Sequence, residues 1–310
     1  MEQHFHGCFG VDFSICEPDE ILELSKKLLS CGIGGFYPTL VTDKIENIKR
    51  QIERIKTAQK QQTPEMSEIL GVHIEGIFIN PEKKGIHDKT LFLPLTIENY
   101  KLIEDEIIKI ITLAPELDEK DELIRYLTLQ GVKVQAGHCI GGDLSECHGA
   151  THLFNAMKGI NHREPSTALS ALINDNIYTE IIADGIHLSD EIIELVFKTK
   201  PEDKIILVSD SLPITQSDLK EANFAGKKIF YDGQKATSQD GTIAGSTTSL
   251  DKIIQRLSLK CPKNFEKYVK MASDNLFFYH NLKLKGSIYW DENFNIITVE
   301  KDDVVLYMGE

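Results

Sequence analysis

Along most of this chain, short runs rich in β-branched and apolar residues alternate with longer stretches whose apolar positions recur at helical spacing. Eight runs read as strands: QHFHG, GGFYPTLV, ILGVHIEG, IIKIITLAPE, VKVQAGH, GATHLFN, YTEIIADGIHL and KIILVSDS. Between them PDEILELSKKLLSCG, KIENIKRQIERIKTAQK, EKDELIRYLTLQG and SDEIIELVFKTK read as helices, with Asp or Ser near their starts and Gly after several. Eight such units predict an α/β fold of the (β/α)8 TIM-type barrel kind, with a doubly wound open sheet as the alternative.

After the eighth run the rhythm changes. Residues from about 222 to 245 carry turn signals at YDG and QDG and predict a β excursion, followed by helical stretches at SLDKIIQRLSL and NFEKYVKMASDNLFFY. The end, GSIYWDENFNIITVEKDDVVLYMG, alternates like a hairpin around Asp291 to Asn295. The expected organisation is one catalytic barrel over residues 1–284, excursion included, and a small C-terminal β hairpin appendage over residues 285–310.

A chain of 310 residues can bury a core of this size. Its 34 Lys and Arg against 48 Asp and Glu give a formal charge of −14. That argues against nucleic acid as a partner and leaves room for a small anion held by one local cation. The six cysteines, at 8, 16, 31, 139, 147 and 261, form no CxxC pair, and no apolar leader or membrane-spanning run occurs. The expectation is a cytoplasmic protein with reduced thiols and no membrane partner. Cys139 follows a candidate ligand, but on a strand its side chain faces the other way, which predicts a buried structural thiol.

In a barrel of this kind the chemistry sits at the C-terminal ends of the strands. Polar residues concentrate there: His4 and His6, His73 and Glu75, His138, His152, Asp184 and His187, and Asp210. A single histidine in an apolar strand is more often a satisfied core residue than a ligand. Imidazoles from four strands with two carboxylates instead match the donors of Zn²⁺ or Fe²⁺ and leave an open position for water. Glu75 lies in a buried run where an unpaired carboxylate is costly, so a cation accounts for it. His73 lies one layer deeper and is expected to act behind the site. Asp210 suits either a further ligand or a proton-transfer group. His148 falls at the opposite strand end, and His162 and His280 are expected at the surface.

These residues carry a family likeness. HFHGCFGVDF, YPTLVTD, GVHIEGIFINPEKKGIH, ITLAPE, AGHC, THLFNAM, REP, IADGIHL, LVSDS and DGTIAGS occur in order from about residue 4 to the end. The chain thereby resembles the N-acetylglucosamine-6-phosphate deacetylases of the amidohydrolase superfamily. The resemblance implies a divalent metal, Zn or Fe, at Glu75, His138 and His152, a possible second ion at His4 and His6, and Asp210 as catalytic acid and base. It implies that His87 orients the acetyl carbonyl and Ile86 lines the sugar site. Asn155, Ala156, Arg163 and His187 would bind the sugar phosphate, and the backbone of Ile243, Ala244 and Gly245 would close over the sugar. A guanidinium at Arg163 recognises phosphate without a basic surface.

The likeness further implies a homodimer acting on a small amino-sugar phosphate. The β-rich segment that the family carries before its first strand is absent from this sequence, so the C-terminal hairpin is expected to pair with itself, the barrel or a second subunit. Two other readings remain at this stage: an amidohydrolase acting on another amino sugar, and a catalytically impaired barrel.

Overall fold

Burial on both faces explains why the strand runs are nearly continuous in apolar residues, as in parallel sheets covered by helices. In a computed structural model, which describes residues 1–141, 143–283, 286–301 and 304–309, β1 (Glu2–Phe5) pairs in parallel with β2 (Gly35–Val41). The sheet continues through β3 (Val72–Glu75), β4 (Ile108–Leu113), β5 (Lys133–Ala136), β6 (Gly149–Ala150), β7 (Tyr178–Ile181) and β8 (Ile205–Leu207). A short strand, Glu68–Ile69, adds to β2 outside that order. Beyond β8 the chain returns to β1: the Asp210 amide donates to the His4 carbonyl at 2.9 Å, and the His6 amide to the Ser211 carbonyl at 2.8 Å. The parallel sheet is therefore curled, and residues that follow its last strand bond to the first strand at the end that carries the polar residues.

The helices α1 (Pro18–Lys27), α2 (Ile45–Gln61), α3 (Ile97–Tyr100), α4 (Glu122–Leu129), α5 (Thr167–Ile173) and α6 (Asp190–Thr199) fall in the connections. On α2 the buried Ile48, Ile52 and Ile55 recur at helical spacing and pack into the main core with Ile21 and Leu24 of α1. Starts are well specified: Glu17 and Glu20 form a capping box on α1, and the Ser189 hydroxyl accepts the Ile192 amide on α6. Inside the curl the packing is polar. His73 Nε2 lies 2.8 Å from Thr112 Oγ1, which lies 2.7 Å from Thr151 Oγ1, and Thr151 donates to Gln135 at 3.1 Å.

The excursion is a four-stranded antiparallel sheet of β9 (Glu221–Phe224), β10 (Lys227–Tyr231), β11 (Ala236–Ser238) and β12 (Ile243–Gly245). Its turns are held by Asp232 and Asp240, whose side chains accept backbone amides two residues on. α7 (Leu250–Lys260) follows. The last predicted helix is interrupted at Ala272 and Ser273, giving α8 (Phe265–Met271) and α9 (Asp274–His280).

At the C-terminal end, where a hairpin is expected, β13 (Ser287–Trp290), β14 (Ile296–Lys301) and β15 (Val304–Met308) make one three-stranded antiparallel sheet. It rests on the turn after α1, where Ile288 and Ile296 methyls would lie 3.0 and 2.8 Å from any Cβ at Gly32. Gly32 is thus required for this contact as well as for its left-handed backbone. The expected boundary at residues 284 and 285 lies outside the described residues. No helix among the described residues is long and apolar enough to cross a membrane.

Candidate active site

The strand ends turn their polar side chains into a cavity of about 330 Å³. Glu75 ends β3, and Gly76 follows with φ +129°, where a Cβ would come within 2.1 Å of Thr42 Oγ1. His138, His152 and Asp210 stand just past β5, β6 and β8 with left-handed φ of +49°, +30° and +51°. Such backbone costs a non-glycine residue about 1–3 kcal/mol and concentrates where a side chain must be aimed. The GATHLFN run, expected to be a long strand, pairs only at Gly149 and Ala150 and then turns through His152, Phe154 and Ala156, all left-handed.

Two groups of donors converge on Glu75. Its Oε1 lies 3.2 Å from His138 Nε2 and 2.9 Å from His152 Nε2, and those two nitrogens are 3.1 Å apart. Bonds of about 2.0–2.1 Å to a tetrahedral ion set donors about 3.3 Å apart, so this triangle is close to the spacing of a ligand face. His138 is oriented from behind, its Nδ1 lying 2.8 Å from the Lys83 carbonyl, which leaves Nε2 facing the cavity. On the other side His6 Nε2 lies 3.0 Å from Glu75 Oε2 and 3.2 Å from Asp210 Oδ1. His4 Nε2 lies 3.4 Å from both Glu75 and Asp210, buried and with no hydrogen-bond partner. An orphaned imidazole nitrogen beside two carboxylates fits a cation held among them.

The charges respond to this crowding. Burial works against a charge on His6, but the Asp210 and Glu75 carboxylates outweigh it and raise the imidazole to about 9. His4 is raised well above its ordinary value in the same way, by Glu75, Glu180 and Asp210. Burial works against ionisation of Asp210, yet His4 and His6 hold its carboxyl below the usual range. His87 goes the other way: burial, reinforced by His138, keeps it neutral. At the far wall Asp184 accepts the amides of Ile186 and His187 and lies 2.8 Å from His187 Nδ1, while the Ser246 hydroxyl donates to it at 2.9 Å. Burial opposes a charge on His187 and Asp184 overrides it, so its pKa is raised.

Of the predicted residues, Asp210, Glu75, His138, His152, His6, Ile86, His87, Asn155, Ala156, His187, Ile243, Ala244 and Gly245 line the one cavity. His4 lies directly behind it. Gly245 comes so close to Asp210 that a Cβ would meet the Asp210 carbonyl at 2.9 Å. Arg163 is not brought in: it is exposed, in a turn where its own amide donates to Asn161 and Lys158 pairs with Glu164. His73 stays behind the site among Gln3, Thr39 and Thr112. Cys139 is buried against Thr167.

His280, expected at the surface, is instead partly buried, stacked on Tyr37 and bonded to Gln3 at 2.7 Å. The expectation missed Glu180, which accepts from His4 Nδ1 at 2.9 Å, and Thr42, which holds His87. A carboxylate inside the apolar run YTEII was the available signal for the first.

Among known proteins, the chain is 30% identical over 321 residues to the N-acetylglucosamine-6-phosphate deacetylase of Bacillus subtilis, covering 99% of this chain and 81% of the relative. This chain belongs to the N-acetylglucosamine-6-phosphate deacetylase family. Within it, the crystal structure of the Thermotoga maritima N-acetylglucosamine-6-phosphate deacetylase superposes with a TM-score of 0.89 at 27% identity, over 99% of this chain and 87% of that one. An N-acetylgalactosamine-6-phosphate deacetylase of Escherichia coli O157:H7 is 28% identical over 83% of this chain and 70% of its own length. No family model matches the chain.

Proposed function

We propose that this deacetylase-family chain hydrolyses the acetamide of N-acetylglucosamine-6-phosphate, giving acetate and glucosamine-6-phosphate, with the help of a divalent cation. The observation that carries the reading is the Glu75, His138 and His152 triangle, 2.9–3.2 Å on each side, facing an Asp210 carboxylate across one cavity. Glu75, His138 and His152 would hold one ion, Zn²⁺ or Fe²⁺, and His4 and His6 with Glu75 a second. Bound there, the ion supplies a water acidic enough to ionise near neutral pH and polarises the amide carbonyl.

The remaining work belongs to the chain. Asp210, a carboxylate at neutral pH, accepts the proton of the attacking water and returns it to the glucosamine nitrogen as the C–N bond breaks. Neutral His87 donates Nε2–H to the carbonyl oxygen as negative charge develops on it. His187, whose charged form is favoured by its pairing with Asp184, attracts the phosphate with Asn155 and Ala156 beside it. Ile86 and the backbone of Ile243, Ala244 and Gly245 enclose the sugar. A phosphate in this cavity relies on His187 and the nearby Lys83, not on the exposed Arg163.

The same reading takes residues 1–284 as a closed (β/α)8 barrel and 285–310 as its appendage, supported by the bonds from the residues after β8 to β1. Acetate release from N-acetylglucosamine-6-phosphate and from unphosphorylated N-acetylglucosamine tests the substrate. The expected result is strong preference for the phosphate ester; equal or reversed preference overturns the phosphate assignment.

A further inference from the structure

Behind the cavity, on the side away from any substrate, buried side chains form a single hydrogen-bonded chain. His280 Nε2 lies 2.7 Å from Gln3 Oε1, Gln3 Nε2 lies 2.5 Å from Glu180 Oε1, and Glu180 Oε2 lies 2.9 Å from His4 Nδ1. The direction of each bond is fixed by Glu180. A carboxylate only accepts, so Gln3 must turn its amide hydrogens to it and its carbonyl to His280, which must donate. For the same reason His4 must carry its hydrogen on Nδ1. Its Nε2 lone pair is then left facing Glu75 Oε1 and Asp210 Oδ1, each 3.4 Å away, with no hydrogen-bond partner. Two carboxylates call for positive charge at Nε2, which a proton or a bound cation supplies, and a cation bound there takes the lone pair in place of the proton. Glu180 Oε2 also accepts the backbone amide of His152 at 3.2 Å, tying the left-handed turn of a residue in the other donor group to the same carboxylate.

We propose that Glu180 is a positioning residue for metal binding: its carboxylate holds His4 as the Nδ1–H tautomer and thereby keeps Nε2 available as a ligand at the position shared by His6, Glu75 and Asp210. Carboxylates behind metal-binding histidines fix ring orientation and raise ligand basicity in this way. Gln3 and His280 extend the support outward and hold Glu180 in place. The inference rests on the metal-dependent reading above and deepens it.

The test is zinc affinity of the full chain, measured by chelator competition, with thermal melting to check the fold and acetate release measured in parallel. Glu180→Gln offers an amide that can donate to Nδ1 and so move the hydrogen to Nε2. It is expected to weaken zinc binding about 10- to 100-fold. Glu180→Asp keeps the carboxylate and is expected to bind zinc more tightly than Glu180→Gln, although it alters side-chain length more; a role in packing alone gives the opposite order. Because Glu180 acts through His4, the double variant with His4→Ala is expected to be no weaker than His4→Ala alone.

Wild-type affinity in Glu180→Gln, the reversed order, or losses that add in the double variant overturns the inference. If Glu180→Gln does not fold, Glu180→Asp decides alone: zinc binding tighter than that of His4→Ala supports the inference, and binding equal or weaker overturns it. A wild-type chain that neither holds zinc nor releases acetate sinks the functional reading together with the inference. A wild-type chain that does both, with Glu180→Gln unchanged, sinks only the inference.

Discussion

The Thr42 backbone amide donates to His87 Nδ1 at 3.4 Å, so that nitrogen is an acceptor, and the Thr42 hydroxyl, 2.9 Å from it and accepting the Ile77 amide at 3.0 Å, turns its hydrogen to the imidazole. His87 therefore carries its hydrogen on Nε2, the nitrogen on the Glu75 side of the ring at 3.8 Å from that carboxylate. Thr42→Val removes the hydroxyl donor and loosens the hold on the tautomer. The expected result is a fall in kcat of about 10- to 100-fold with little change in KM; a change confined to KM contradicts the role given to His87.

Asp210 is the proton carrier in this account. Asp210→Asn preserves its shape but neither accepts nor returns a proton. Turnover is expected to fall by about 10²-fold or more, while zinc at Glu75, His138 and His152 is retained in metal analysis. Activity near that of the wild type contradicts the acid and base assignment.

The pairing of His187 with Asp184 makes a prediction with a sign. A raised pKa carries the imidazole's charge to higher pH than in a free histidine, and that charge is lost as pH climbs past the raised value. KM for the phosphorylated sugar is therefore expected to rise as pH climbs past that raised value, and Asp184→Asn should move the rise to lower pH. KM for the unphosphorylated sugar should not follow. His187→Asn is expected to raise KM for the phosphate ester about 10-fold or more, whereas Arg163→Ala should change it less; the reverse ranking contradicts the geometry.

Gly76 tests how tightly the site is built. An alanine there meets Thr42 Oγ1 and holds a left-handed backbone. Gly76→Ala is expected to cost about 1–3 kcal/mol in denaturant unfolding and to lower kcat by displacing Thr42 from His87. Unchanged stability contradicts the close approach.

The strand and helix rhythm was legible because parallel strands buried on both faces leave near-continuous apolar runs, and helices such as α2 keep one apolar stripe. The convergence of Glu75, His138 and His152 was legible because each ends a strand, and strand ends share one face of the fold. Three features escaped for physical reasons. GATHLFN has strand composition, but its His152 and Phe154 take left-handed backbone that composition does not signal. His280 lies on α9, whose register against Tyr37 and Gln3 is set by long-range packing. Arg163 follows the family pattern in sequence, yet side-chain direction in a turn depends on local bonds such as Lys158 to Glu164. Glu180 was detectable by the logic applied to Glu75, since both are carboxylates within buried strands.

The central claim is a cation-dependent deacetylation carried out at Glu75, His138, His152 and Asp210. Its most direct test is the rate of acetate release from N-acetylglucosamine-6-phosphate by protein stripped of metal and titrated back with zinc. The account predicts negligible release from stripped protein and a rise that saturates as bound zinc reaches a whole number of ions per chain. Full activity in the stripped protein, or no acetate at any zinc loading, contradicts it.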